Sequence, residues 1–198
     1  MRTLLIIDLN NTLIRSLAVN KELEYDGVFT GGVYGLWTQL VASIHWYKPT
    51  HILICDDTKP YLREQLFPNF KGDRKHKPHK TDPDGFHFPE VRDYNKSFCF
   101  ELFDALGIPV WKIEGLEADD LIAAAVQTYI NCPKEQQPYE QIIIRSNDTD
   151  LNQLLSSDDS CDMVKMSKKS SYATKNDLYG YEQFKEEFPD LEPEDWVL

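Results

Sequence analysis

Apolar residues along this chain alternate between short runs and helical spacing. Leu4–Ile7, Ile52–Cys55, Val110–Ile113, Ile142–Ile144 and Cys161–Met166 read as strands, the first and fourth as buried parallel ones. Helical spacing fills the intervals. One helix is predicted over Gly32–Tyr47, with Leu36, Leu40, Val41 and Ile44 on one face. Another covers Asp93–Leu106, where Phe98, Leu102 and Leu106 share a stripe and Gly107 supplies the C-terminal cap. A third runs Leu116–Tyr129, presenting Ala118, Leu121, Ile122 and Ala125 to a sheet. Ser146 or Asn147 can cap a short helix over Asp148–Leu155, and Thr174 can cap Lys175–Tyr179. Strands alternating with helices in this way predict an α/β, doubly wound, mainly parallel sheet with helices on both faces. Phe67–Pro89, rich in Pro, Gly, His and Lys, reads as a basic loop or arch, and Asn131–Tyr139 as a polar connector. No internal repeat marks a second domain, so residues 1–198 are expected to form one.

Composition narrows the classes. At 198 residues with 41% hydrophobic content, the chain can bury a full core. No run approaches the roughly 20 apolar residues that cross a bilayer, and the N-terminus enters a strand without signal-peptide character. Cys55, Cys99, Cys132 and Cys161 are scattered, which suits free thiols in a reducing cytoplasm. The net charge of −12 argues against loose, charge-driven binding to nucleic acid. The charge is uneven, however. Lys71, Arg74, Lys75, Lys77 and Lys80 make one strongly basic stretch, and Lys165, Lys168, Lys169 and Lys175 a second group.

Acidic residues recur where strands should end: Asp8, Asp56, and Asp148 with Asp150, while Glu117, Asp119 and Asp120 open a helix. In open α/β sheets ligands bind beyond the carboxyl ends of the strands, near the point where strand order reverses. An acidic first turn also complements the helix dipole and needs no further purpose. That explanation would have to be invoked at each cluster, always at one sheet edge. Carboxylates gathered there repel one another unless cations neutralise them, and oxygen-only donors suit Mg²⁺ or Mn²⁺. Strand alternation turns Cys55 away from Asp56.

These residues resemble the metal-dependent 5′-nucleases: flap endonucleases, the 5′→3′ exonuclease domain of DNA polymerase I, and phage 5′-exonucleases and RNase H proteins. Gly115-Leu-Glu-Ala-Asp-Asp120 is similar to the family's G-x-E-A-D-D motif. Ser146-Asn-Asp-Thr-Asp-Leu-Asn-Gln-Leu-Leu155 is similar to its S/T-x-D-x-D-x-x-Q-L-L motif. Leu4–Asp8 with Asn10, and Cys55-Asp56-Asp57 through Arg63, resemble its first and second metal strands, and Phe70-Lys71-Gly-Asp-Arg74 its Y-K-x-x-R segment. The resemblance implies a PIN-like, Rossmann-like fold acting as a 5′→3′ exonuclease or flap endonuclease. Its substrate would be DNA, or an RNA–DNA hybrid, carrying a 5′ flap or 5′ end. Asp8, Asp56, Glu117 and Asp119 would hold a first Mg²⁺ or Mn²⁺ ion, and Asp148 and Asp150, with Asp119 or Asp120, a second. Lys71 would polarise the scissile phosphate and Arg63 and Arg74 would clamp neighbouring phosphates, with Phe70 stacking on a base and Lys75 and Lys77 in the basic arch. A replication or repair role in a bacterial or phage-infected cell is what the family suggests.

The family continues with an aspartate-bearing G-D-x-S/G-D-N-x-P-G-V segment and a helix–three-turn–helix that grips duplex. Neither is present before Leu198, which leaves open a truncated chain, a gene split over two polypeptides or a stand-alone domain; of these, a second polypeptide that supplies them is the expectation. Three rivals follow from the residues. Asp8-Leu-Asn-Asn-Thr12 resembles a haloacid-dehalogenase phosphatase loop, but Asn10 replaces its general acid. A PIN-type ribonuclease shares the acids without the arch, and a binding subunit of weakened catalysis would share the fold. His76 and His79 in a lysine-rich loop make a poor zinc site.

Overall fold

The computed structural model describes residues 2–68, 88–158, 160–165 and 177–196. Strand β1 (Thr3–Asp8) is buried at every position and lies between two parallel neighbours, as its unbroken apolar run requires. The other strands are β4 (His51–Cys55), β5 (Val110–Trp111), β6 (Gln141–Arg145), β7 (Cys161–Val164) and β8 (Leu178–Tyr179), with a small separate hairpin, β2 (Glu24–Tyr25) and β3 (Val28–Phe29). The sheet order is β5-β4-β1-β6-β7-β8, parallel throughout except for β8. Successive strands step away from β1 on one side and then resume at β6 on the other. The order therefore reverses between β1 and β6, and their carboxyl ends form the switch point.

Side-chain alternation along β1 divides the core. Leu5 and Ile7 pack with Leu9, Leu13 and Leu17 of α1 (Leu9–Val19), Leu36 and Leu40 of α2 (Gly31–Tyr47), and Cys99 and Phe103 of α4 (Phe88–Ala105). Leu4 and Ile6 face the other way, onto Ala118, Leu121, Ile122 and Val126 of α5 (Ala118–Ile130), Leu151 and Leu154, and Phe184 of α6 (Tyr181–Glu187). The doubly wound α/β architecture predicted from the pattern is the one observed. The short helix α3 (Tyr61–Leu66) follows β4. No described helix is long and apolar enough to cross a membrane. All four cysteines are free, with Cys55, Cys99 and Cys161 buried.

Several predicted details shift. The buried face of α2 is Gly31, Gly32, Gly35, Leu36, Gln39, Leu40 and Ser43, while Val41 and Ile44 face outward. Glycines let α1 approach: a Cβ on Gly31 would stand 2.0 Å from the Asn20 carbonyl oxygen. Buried polar atoms then satisfy one another, Arg145 donating to Ser43 Oγ (3.0 Å) and Gln39 Oε1 (2.6 Å), and Gln39 to Ser16 Oγ (2.8 Å). In α4 the buried stripe is Asn95, Cys99 and Phe103 rather than Phe98, Leu102 and Leu106. The helix also begins earlier, with Pro89 in its first turn where a missing N–H costs nothing. Gly107 ends it at φ 65°, as a left-handed cap should. The predicted helix over Asp148–Leu155 is a 3₁₀ helix, Thr149–Leu154. Leu178 and Tyr179, expected to end a helix, instead pair antiparallel with β7.

Candidate functional site

Asp8 ends β1 and caps α1. Its Oδ1 accepts the Asn11 amide (3.1 Å) and its Oδ2 the Ser146 hydroxyl (2.8 Å), which ties the ends of β1 and β6 across the switch point. Only 5% of Asp8 is exposed. Burial pushes its carboxyl up to about 6, opposed by those two hydrogen bonds and helped by the charges of Asp57 and Asp148. Asp148 caps the 3₁₀ helix, accepting the Asp150 amide at 3.1 Å, and its own amide donates to Ser146 Oγ at 3.1 Å. Asn11 completes the crossing by accepting the Asn147 amide at 3.0 Å.

Asp119 enters from the first turn of α5. Burial lifts its carboxyl to about 7, and the charges of Asp8, Asp148, Asp57 and Glu117 add to the shift in that order. Side chains far apart in sequence therefore act on one another at a single sheet edge. The two carboxyl groups are held above the ordinary aspartate range first by burial and then by their acidic neighbours, and a hard dication would relieve that repulsion. All the donors are oxygens, so the set fits Mg²⁺ or Mn²⁺ better than a soft metal. Among the described residues, no three Asp, Glu, His or Cys side chains already close around one point as an assembled metal centre.

The remaining predicted acids are placed differently. Asp56 is fully buried and held by ion pairs, with Lys96 on Oδ1 and Lys112 on Oδ2 (3.0 Å). The cause is strand parity: Ile54 and Asp56 point to the α4 side of the sheet, where Lys96 stands, and Cys55 and Asp57 to the α5 side. Glu117 occupies the N-cap position of α5 and binds Arg63 at 2.7 Å. Asp120 accepts the Glu117 amide (2.9 Å) and pairs with the other Arg63 nitrogen, so it serves the helix start. Arg63, expected on a phosphate, is thus engaged by two carboxylates. Asp150 is exposed. Phe70, Lys71, Arg74, Lys75 and Lys77, with His76 and His79, lie outside the described residues.

Sequence reasoning assigned no site role to Asp57, Asn10, Asn11, Lys96 or Lys112, and took Ser146 or Asn147 as a helix cap where Asp148 is the cap. Asp57, Ser146 and Asn10 fall inside the quoted motifs, where adjacency was the available signal. Asp57 accepts the Ala118 amide (2.6 Å) and the Asn10 side chain (2.5 Å), and Lys96 donates to Asn10 Oδ1 (3.1 Å). Nothing in the local pattern distinguishes Lys96 from a solvated helix lysine.

The family profile described as "5'-3' exonuclease, N-terminal resolvase-like domain" matches residues 3–189. The chain is 31% identical over 166 residues to DNA polymerase I of Bacillus caldotenax, covering 83% of this chain and 17% of that protein. It is 26% identical over 164 residues to a 5'-3' exonuclease of Buchnera aphidicola subsp. Schizaphis graminum, covering 82% of this chain and 50% of that one. The chain thus spans half or less of these relatives. Among solved structures, the T5 5'-exonuclease with bound zinc superposes with a TM-score of 0.74 at 21% identity, covering 99% of this chain and 64% of that one. The bacteriophage T5 flap endonuclease in a complex with DNA and metal ions gives 0.74 at 20%, again over 99% and 64%. At that identity the likeness is one of fold, the PIN-like 5′-exonuclease fold.

Proposed function

Because the chain belongs to the family of 5′-3′ exonuclease N-terminal resolvase-like domains, we propose that it is a divalent-metal-dependent 5′-nuclease domain. It hydrolyses phosphodiesters of DNA near a 5′ end, as a 5′→3′ exonuclease or flap endonuclease. The observation that carries this reading is the coupling of Asp8, Asp119 and Asp148 at the β1/β6 switch point. Asp8, Asp119 and Asp148 would hold Mg²⁺ or Mn²⁺, with Glu117 alongside. When bound, a pair of such ions supplies positive charge where negative charge develops on the phosphoryl oxygens.

The chain's own residues do the positioning. Ser146 and the Asn11 amide fix Asp8 in one orientation, and the 3₁₀ helix start fixes Asp148. Donors rigidly held in this way need little reorganisation when substrate arrives. We assign Lys71 and Arg74 to the scissile and neighbouring phosphates, and Phe70, Lys75 and Lys77 to the 5′ strand. The relatives named as 5'-3' exonucleases and the T5 flap endonuclease solved with DNA and metal ions support that substrate class.

Cleavage of 5′-flap, nicked-duplex, RNA–DNA and single-stranded RNA substrates, with Mg²⁺ or Mn²⁺ against chelator, tests the reading. Asp119→Asn and Asp148→Asn should each lower the rate on the order of 10²-fold or more, the scale of losing one charge-stabilising group. Cleavage that survives chelation or either substitution refutes it, and cleavage confined to single-stranded RNA favours a ribonuclease.

A further inference from the structure

We propose that the cavity between β4, β5 and the carboxyl end of α5 is a binding site for a small, uncharged aromatic molecule, at the sheet edge opposite the acidic cluster. Its volume is about 690 Å³, within the roughly 300–1,000 Å³ that small-molecule sites occupy. Leu4 and Leu53 line it from the sheet, and Ala125 and Tyr129 from the helix. Along α5, Thr128 at the cavity and Asp119 at the acidic edge are about 14 Å apart. The site is therefore independent of the nuclease chemistry.

The lining selects the ligand. Among the described residues that line the cavity, none is Asp, Glu, Lys or Arg, so an ionised molecule would leave water there without a partner. Aromatic rings are plentiful instead: Trp111, Tyr129, Tyr139 and His51 all reach the cavity. His51 and Tyr139 make a T-shaped pair at 5.4 Å. The Trp111 indole is 42% exposed, apolar area that a flat molecule would cover. His51 and Thr128, both exposed, offer hydrogen-bonding groups next to water for the ligand's polar end. A second copy of the chain fits less well, since both copies would carry the same net charge of −12.

The walls are held by bonds of their own. The Tyr129 hydroxyl donates to the Tyr139 carbonyl, and Gln137 Nε2 donates to the Cys132 carbonyl (3.1 Å). Thr50 Oγ1 donates to the Thr3 carbonyl (3.0 Å) and accepts the Thr3 amide (3.1 Å). Pro49, Pro109 and Pro138 stiffen the connections that meet at the cavity. A site formed before binding has little left to order when the ligand arrives.

The test is fluorescence titration of the full chain with N-phenyl-1-naphthylamine, a neutral aromatic amine that brightens in apolar surroundings. Cys132 lines the cavity and is partly exposed, whereas Cys55, Cys99 and Cys161 are buried. Its reaction with N-ethylmaleimide, followed by mass spectrometry, is a second readout that needs no substitution. Saturable binding of one amine per chain is expected, and the bound amine should slow the Cys132 reaction tenfold or more. Ala125→Trp, which puts an indole into the cavity, and Trp111→Ala, which removes a ring, should each weaken binding tenfold or more. Trp111 lies on a two-residue edge strand, so its variant folds even where Ala125→Trp fails to. Trp37→Ser, in a separate cleft beside α2, should bind within threefold of wild type. Absence of saturable binding by wild type, or an unslowed Cys132 reaction, overturns the proposal. So does wild-type affinity in Trp111→Ala, or tenfold loss in Trp37→Ser. A chain that sediments as a dimer with Cys132 unreactive holds a second copy at this site, and overturns it too.

Discussion

Raising the pH of the metal-free protein from about 5 to about 8 should destabilise it through Asp8, and Asp8→Asn should remove that share of the loss. An unfolded aspartate titrates near 3.8, whereas burial holds the Asp8 carboxyl at about 6 in the fold. Between those values the folded protein keeps a proton that the unfolded chain has released. Stability therefore falls as pH rises through the window. Below about pH 3 both states are protonated and the penalty vanishes; above about pH 7 both are ionised and it stands in full. The full penalty is about 3 kcal/mol, of which roughly half is incurred by pH 5, leaving about 1.4 kcal/mol across the range tested. Asp119, held up at about 7, acts with the same sign; it is partly exposed and repels Asp8, so its share is smaller than its shift suggests and overlaps with that of Asp8. The assay is urea unfolding in chelator at several pH values, for wild type and Asp8→Asn. Asn retains an oxygen for the Asn11 amide and turns an N–H toward Ser146 Oγ, a change independent of pH, so the slope of the profile reports the charge. The variant should gain about 1.4 kcal/mol on wild type between the two ends. Parallel profiles would refute the reasoning. At the upper end, saturating Mn²⁺ should stabilise wild type by about 2.7 kcal/mol at a hundredfold excess over Kd, and the variant by much less.

Three further outcomes follow from packing. Gly31→Ala should cost about 3 kcal/mol or more in chemical denaturation, because its Cβ meets the Asn20 backbone, which has no rotamer to yield. Arg145→Leu should cost about 3 kcal/mol, since it withdraws both donors from the buried Gln39 and Ser43 acceptors; changing Gln39 to Leu as well should recover part of it. Asn95 accepts from the Val33 amide and donates to the Phe29 and Val91 carbonyls while fully buried. Asn95→Ala should therefore cost about 2–4 kcal/mol and raise amide exchange first in the β2–β3 hairpin, before the central strands.

How much of this was readable beforehand depended on whether one residue did one job. The runs at Leu4–Ile7 and Ile142–Ile144 reported buried parallel strands because every position there is apolar for the same reason. Helix α1 went unread because its start is polar: Asp8, Asn10 and Asn11 stand where a reader looks for ligands, and Asp8 is also the cap. The face of α2 was misjudged because close approach selects glycine and the Arg145 network selects Gln39 and Ser43, none of which register as hydrophobic. The hairpin had a signal in Asp26-Gly27, both with positive φ, but its strands are too short to show alternation. At the site, Asp56 meets Lys96 from a helix 40 positions later, a tertiary contact that no local pattern announces.

Asp8 and Asp148 each begin a helix with the same carboxylate that contributes its charge to the cluster. Asparagine begins helices about as well as aspartate does. One nucleotide separates their codons, so silencing this centre and unfolding the protein are separate events for evolution. A descendant could lose cleavage in a single generation and persist as a folded domain open to recruitment for another purpose.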